Sequence, residues 1–191
     1  MPKSDKREEI VRAALELIAE HGFHGAPMAL IADRAGVGAG TIYRYFENKD
    51  VLISELYREV EERISTLLMD GYEPDKPFRE RFLHLGTALL RYFIHNPLDF
   101  RYLEQFHNSP YGEKVRRDKI MGTHEGCDIF RELFDHGVSR QVMKDLPLVV
   151  LFALAFGPLF AVTRDHILGF IVLDDLMIVQ TIEACWDAIR R

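Results

Sequence analysis

The residues best suited to chemistry lie in one short segment, Ile31 to Phe46, where a glycine-containing turn separates two apolar stretches of helical periodicity. Gly36 ends the first stretch, and Gly38, Ala39 and Gly40 open the second with side chains too small to keep a ligand away from the backbone. Backbone N–H groups at the start of a helix bind phosphate. The larger side chains that follow can reach phosphate or base edges, and they are Thr41, Tyr43, Arg44 and Tyr45. The segment therefore predicts a helix that reads nucleic acid.

The elements around this segment must hold the reading helix at the surface. Two short helices joined by a tight turn with glycine form a helix-turn-helix, whose second helix enters the major groove. Ala32 and Ala35 allow the two helices to cross closely, while the reading helix is tied to the core by Val37, Ile42 and Phe46. A first helix over about Lys6 to His21 precedes the pair, and Asn48 is a suitable cap for a fourth. Lys49, at the start of that fourth helix, is a further candidate for a phosphate contact.

The string from Ala35 to Asp50 resembles the TetR family of bacterial transcription regulators, and the resemblance extends from about Arg7 to Tyr57. The matching residues read Ala-Gly-Val-x-x-Gly-Thr-Ile-Tyr-Arg-Tyr-Phe-x-Asn-Lys-Asp. The resemblance implies a DNA-binding domain followed by a larger domain that binds a ligand and dimerises. It also implies that the DNA backbone is contacted by Thr41, Tyr43 and Lys49, and the bases by the region of Ala39, Gly40, Arg44 and Tyr45.

Two features of the N-terminal region depart from the pattern. Ala26-Pro27 replaces the usual hydroxyl residue before the second helix, and Gly38 replaces the usual Ser before the third; each lost cap costs about 1 kcal/mol. Residues 1–50 also carry seven Lys and Arg against eight Asp and Glu, a net charge of −1. A helical hairpin that does not bind DNA and exposes a solvated charged face is the alternative interpretation.

Composition narrows the remaining classes of protein. The 191 residues are 48% hydrophobic and 28% charged, with a formal net charge of −6, which is typical of a globular chain and excludes a chain-wide polyanion binder. Cys127 and Cys185 are too far apart to suggest a disulfide framework or a zinc site, so we expect no metal, no cofactor and a cytoplasmic location. The apolar stretch from Pro147 to Val162 is shorter than the roughly 20 residues of a membrane span and contains Pro158. We therefore expect buried protein and no membrane partner.

Apolar residues recur at helical spacing almost throughout, which predicts an all-α fold of about nine helices. We predict a helix-turn-helix DNA-binding domain over residues 1–50 and a helical ligand-binding and dimerisation domain over 51–191, connected by the helix at 51–69. One helix of the larger domain is expected over about 113–136, and an almost wholly apolar helix over about 147–166 is expected to be buried on more than one side.

Aromatic and histidine side chains in the larger domain could line an apolar cavity with a few polar groups, and they are Phe82, Phe93, Phe100, Phe106, His107, Tyr111, His124 and Phe130. Ordinary core packing is the alternative for each of them. Two C-terminal helices carry further apolar residues that predict a two-fold symmetric four-helix bundle with a second copy: Phe152, Phe156, Phe160, Ile178, Ile182, Cys185 and Ile189. Burial of these residues within one chain is the alternative.

Together these features predict a homodimeric transcription regulator that binds a palindromic duplex operator, acts as a repressor and is released by a small, largely apolar effector. A DNA-binding regulator without an effector is the first alternative. An enzyme or carrier for hydrophobic molecules is the second, but the sequence contains no nucleophile with a base at motif spacing and no phosphate loop.

Overall fold

The computed structural model describes residues 5–121 and 129–191, and side chains for all of these except residues 120 and 121. The described residues form ten α-helices and no β-sheet, so the all-α prediction is confirmed. In chain order the helices are α1 (Lys6–His21), α2 (Met28–Arg34), α3 (Ala39–Tyr45), α4 (Lys49–Met69), α5 (Phe78–His95), α6 (Pro97–His107), α7 (Pro110–Met121), α8 (Ile129–Ser139), α9 (Leu148–Ile167) and α10 (Asp175–Ile189).

Two compact units divide the chain, and each is discontinuous in sequence. The N-terminal unit contains the residues up to Arg63 together with Asn96–Arg116, while the C-terminal unit contains Ile64–His95 and Arg117–Arg191. The bounds of these compact units differ from those of the predicted functional domains, 1–50 and 51–191. That functional division stays a prediction. The single helix predicted over 113–136 covers two described helices, α7 and α8, with residues 122–128 outside the described part.

In the N-terminal unit, α1 packs on α2 and on α6, and α2 packs on α3. The core is apolar and includes fully buried Ile10, Ile18 and Leu52. Asp5 begins α1 by accepting a hydrogen bond from the Arg7 amide at 3.1 Å, as its position in the sequence predicts. The unit is therefore a helix-turn-helix domain in which α1 also packs against α6, a helix from later in the sequence.

In the C-terminal unit, α5, α9 and α10 pack on one another, and α8 packs against α5 and α9. Asp174 caps α10 by accepting from the Met177 amide at 2.8 Å, again as predicted. The close crossing of α5 and α10 occurs at Gly86, where an added Cβ would lie 2.9 Å from Ile182. A helix bundle of this kind buries one face of each helix and leaves the other to solvent or a partner.

Candidate nucleic-acid interface

The reading helix α3 is anchored by two residues that point into the core. Ile42 and Phe46 are both fully buried. The turn before the helix depends on Gly36, whose φ of +65° is a conformation that side chains rarely adopt. The Val37 amide then donates to the Ala32 carbonyl at 2.9 Å and closes the turn. These contacts fix which side of α3 is displayed.

The displayed side of α3 carries most of the residues predicted to bind DNA. Tyr43 is 55% exposed and Tyr45 41% exposed, although both are large aromatic side chains. Thr41 is half-buried, and the remaining members are exposed: Gly38, Ala39, Gly40 and Arg44. Exposed aromatic rings beside an Arg form a surface suited to phosphate and base edges. The structure therefore brings together seven of the eight predicted residues.

The fold itself does not require glycine at position 40. Gly40 lies inside α3, and a Cβ built on it would meet nothing within 4 Å. Inside a helix, Ala is favoured over Gly by about 1 kcal/mol. Packing within the described residues therefore does not explain the glycine at this position.

The caps of α2 and α3 are absent, as the departures from the family pattern predict. Pro27 and Gly38 occupy the two cap positions, and neither helix has a side-chain cap hydrogen bond. α4 differs, because Asn48 Oδ1 accepts from the Val51 amide at 2.9 Å. The N-terminus of α4 thus has a side-chain cap, whereas the N-terminus of the reading helix α3 has none.

Lys49, the eighth predicted contact, is engaged within the chain. Its half-buried ammonium donates to the Phe23 carbonyl, and burial lowers the pKa of Lys49. A phosphate contact would require the side chain to leave this carbonyl. Its predicted role therefore competes with a structural one.

Sequence reasoning missed the residue that ties α1 to α4. The Arg7 guanidinium donates to Glu55 at 2.5 Å and to Glu59 at 2.6 Å, and it lies 5.5 Å above the ring of Phe46. Two carboxylates one helical turn apart were the signal available in the sequence. This arrangement holds one guanidinium between two carboxylates and so joins α1 to α4.

The predicted ligand-pocket residues fall in different units. Phe100, Phe106, His107 and Tyr111 belong to the N-terminal unit. There, Phe106 stacks on Tyr57 with ring centroids 4.1 Å apart, and the exposed His107 contacts both of these rings at their edges. Tyr111 donates to Asp50 at 2.7 Å. These side chains are engaged in packing and hydrogen bonds inside the N-terminal unit, and His124 lies outside the described residues.

The other pocket residues join an aromatic cluster in the C-terminal unit. Phe82 is fully buried and packs against Phe134, Phe156 and Trp186. Phe130 meets Phe156 edge-on with centroids 4.5 Å apart. A separate contact joins Phe93 to Phe160. Phe82, Phe130, Phe134, Phe156 and Trp186 thus form a connected aromatic cluster in this unit.

Most residues of the predicted dimer stripe are buried within one copy of the chain. Ile178, Ile182, Cys185 and Ile189 are each at most 4% exposed, because this side of α10 is the one that packs inside the C-terminal unit. Phe156 is buried likewise, while Phe152 and Phe160 are half-buried against other Phe side chains of the unit. An apolar stripe marks a buried face without saying which chain buries it.

The opposite side of α9 and α10 is exposed and still largely apolar. A groove of about 360 Å³ lies along it, lined by Pro158, Met177, Gln180, Thr181, Ala184, Ala188 and the nearly buried Cys185. α9 is 20 residues long and apolar enough to span a membrane by length and composition, and 28% of its most apolar window is buried inside the chain. The prediction that α9 is buried on more than one side is therefore not met within one copy.

The fold and the displayed helix define a class of protein: a helix-turn-helix DNA-binding regulator with an attached helical domain. Residues 10–56 match the family described as "Bacterial regulatory proteins, tetR family", and residues 77–190 match the "Tetracyclin repressor-like, C-terminal domain". An HTH-type transcriptional regulator of Haemophilus influenzae is 26% identical over 190 residues, covering 99% of this chain and 98% of the relative.

A solved structure of a TetR family transcriptional regulator from Vibrio parahaemolyticus is similar with a TM-score of 0.76 and 34% identity, covering 98% of this chain and 99% of that one. A fatty acid metabolism regulator protein of Bacillus subtilis is 46% identical over 57 residues, 30% of this chain and 29% of the relative. The chain belongs to the TetR family and is a transcriptional regulator, not an enzyme.

Proposed function

We propose that the protein represses transcription by inserting α3 into the major groove of a palindromic operator, as a homodimer in the cytoplasm. The observation that carries this proposal is the unpartnered face of α3. Arg44 forms no hydrogen bond or ion pair among the described residues, and Tyr43 and Tyr45 are exposed beside it. Arg44 would read guanine, while backbone contacts would come from Thr41, Tyr43 and the N–H groups at Gly38, Ala39 and Gly40.

A DNA titration at several salt concentrations tests this proposal. Fragments retained by the protein are sequenced, and affinity for the recovered palindrome is compared with that for a scrambled duplex. Binding to the palindrome is expected to weaken as salt rises, because phosphate contacts release counterions. Arg44→Ala should reduce discrimination at one base pair by about 1–3 kcal/mol. Equal affinity for both duplexes would refute the proposal.

We further propose that the second copy covers the exposed side of α9 and α10. Small residues line the groove between them, and Ala184 and Ala188 would allow two helices to approach closely. Two-fold pairing would present two reading helices to half-sites about 34 Å apart or a multiple of that distance. Ala184→Arg places a charge in the groove and is expected to produce monomers, measured by sedimentation velocity. Thr66→Arg, at an exposed position of α4, is the control that should remain dimeric.

The effector in this proposal is small and largely apolar, and it binds in the C-terminal unit. The aromatic cluster around Phe82 and Phe156 supports an apolar site, since a ligand admitted among these buried rings would meet hydrophobic side chains. Binding would favour a position of α4 that changes the spacing of the two reading helices, with a coupling free energy of about 1–3 kcal/mol. α4 suits this role because its residues belong to the N-terminal unit up to Arg63 and to the C-terminal unit beyond it.

Fatty acids are the first probes, because a Bacillus subtilis relative is named a fatty acid metabolism regulator. Palmitic acid is expected to release the protein from its operator, and acetate at the same concentration is the matched control. Organic extracts of the purified protein, examined by mass spectrometry, provide a search that assumes no ligand. Undiminished DNA binding with every probe and an extract without any ligand would favour a regulator that has no effector.

A further inference from the structure

The beginning of α4 forms hydrogen bonds with three other segments of the N-terminal unit. The Lys49 ammonium donates to the Phe23 carbonyl in the turn between α1 and α2. The Tyr111 hydroxyl, from the first turn of α7, donates to Asp50 Oδ1 at 2.7 Å. The Tyr102 hydroxyl, from α6, donates to the Ile53 carbonyl at 2.9 Å. The beginning of α4 is thus fixed from several directions within five residues.

Phe23 lies at the centre of this arrangement. Its ring contacts Tyr111 with centroids 5.1 Å apart and meets Tyr102 edge-on at 6.4 Å. The same residue supplies the carbonyl that accepts from Lys49. Phe23, in the turn between α1 and α2, therefore contacts α6 and α7 through its half-buried ring and the start of α4 through its carbonyl.

The three hydrogen bonds differ in what they can contribute. Tyr102 is fully buried, so its bond satisfies a hydroxyl group that would otherwise be costly to bury. Asp50 is exposed and Tyr111 half-buried, and hydrogen bonds in contact with water contribute little to folding stability. What the Tyr111 bond does supply is a fixed distance between α7 and α4, next to the point where α3 ends.

We propose that Tyr111 is a positioning residue for DNA binding: through Asp50 it fixes the first turn of α4 and hence the orientation in which α3 is presented to the operator. Only residues 46–48 separate α3 from α4, so a displacement of the α4 start is transmitted directly to the reading helix. Tyr111 itself touches no DNA in this scheme. The inference rests on the proposed operator interface and goes beyond it by assigning a role to α7.

The test compares Tyr111→Phe with the unaltered full-length protein on the recovered operator. Losing the hydroxyl is expected to weaken operator binding about fivefold, within the range that one hydrogen bond supplies. The slope of log affinity against log salt should not change, because no phosphate contact is lost. The melting temperature should also be unchanged. Tyr72→Phe removes a hydroxyl that accepts from Arg81 in the C-terminal unit and should leave affinity as it was.

A double-mutant cycle with Asp50→Ala separates positioning from direct contact. Tyr111→Phe should have no further effect once the Asp50 carboxylate is absent. An effect that persists in the Asp50→Ala protein, with a shallower salt slope, would mean that the hydroxyl binds phosphate itself and would overturn the inference. Loss of melting temperature in proportion to affinity, or wild-type affinity in Tyr111→Phe, would overturn it as well. If the unaltered protein does not prefer the palindrome, the proposed function fails first.

Discussion

Replacing Gly40 by Ala is expected to stabilise the protein and weaken its binding to DNA at the same time. The added methyl would meet no atom of the chain within 4 Å, and in a helix Ala is more favourable than Gly by about 1 kcal/mol. A gain of up to about 1 kcal/mol in the free energy of unfolding follows, somewhat less near a helix end. Nothing inside the protein opposes the substitution.

The same substitution is expected to weaken binding to DNA. Gly40 is exposed in the first turn of α3, where we propose that the backbone approaches the duplex. One extra carbon in a closely packed contact costs about 1–3 kcal/mol, and each 1.4 kcal/mol weakens Kd about tenfold. Urea unfolding gives the stability and a fluorescence anisotropy titration gives Kd on the same protein sample.

Gly36→Ala adds the same atom nearby and provides the contrast. Its surroundings are equally open, but its φ is +65°, so a side chain there costs about 1–2 kcal/mol of stability. If Gly40→Ala binds the operator as tightly as the unaltered protein, the backbone of α3 does not approach DNA closely and the reasoning is wrong. A loss of stability at position 40 would show that the glycine serves the fold after all.

Four further outcomes are expected. Gly112→Ala should destabilise the protein by at least about 1–3 kcal/mol in urea unfolding, because its Cβ would lie 2.2 Å from a backbone oxygen of α6. Tyr102→Phe should cost about 1–3 kcal/mol by the same measurement, since the Ile53 carbonyl loses its buried donor. Burial raises the pKa of Cys185 to about 11, so in a Cys127→Ser protein no thiol should react with a disulfide reagent at pH 8 unless the protein unfolds. Because the folded-state pKa is the higher one, the stability that the neutral Cys185 thiol provides is retained below pH 9.0 and lost as pH rises toward 11.

Local signals in the sequence were sufficient for the helix-turn-helix. Gly36 has the positive φ that its place in the turn predicts, Asn48 caps α4, and Ile42 and Phe46 are buried. Each of these depends on a few neighbouring residues, so the sequence contains the necessary information. The boundaries of α1 follow for the same reason.

Contacts between distant segments could not be predicted in this way. The stripe from Ile178 to Ile189 is a buried face, as its spacing predicts, but it faces its own chain. The exposed face of α10 includes Gln180, Thr181 and Ala184. Because polar and apolar residues alternate irregularly on this face, it gives no periodic hydrophobic signal. Tyr111 illustrates the same limit, because its type fits an apolar pocket while its hydroxyl bonds Asp50, 61 residues away. Helical periodicity identifies an apolar face and leaves its partner undetermined.

The discontinuity of the N-terminal unit has a consequence for synthesis on the ribosome. Phe100, Tyr102 and Phe106 belong to that unit and are buried in it, yet they are translated after α4 and α5. A nascent chain that has emerged only as far as Arg63 therefore lacks the core residues that α6 supplies to this unit. The unit is complete once Arg116 has left the exit tunnel. A truncated gene product that ends between α4 and α5 lacks Asn96–Arg116, and we expect proteases to degrade it before it can bind an operator.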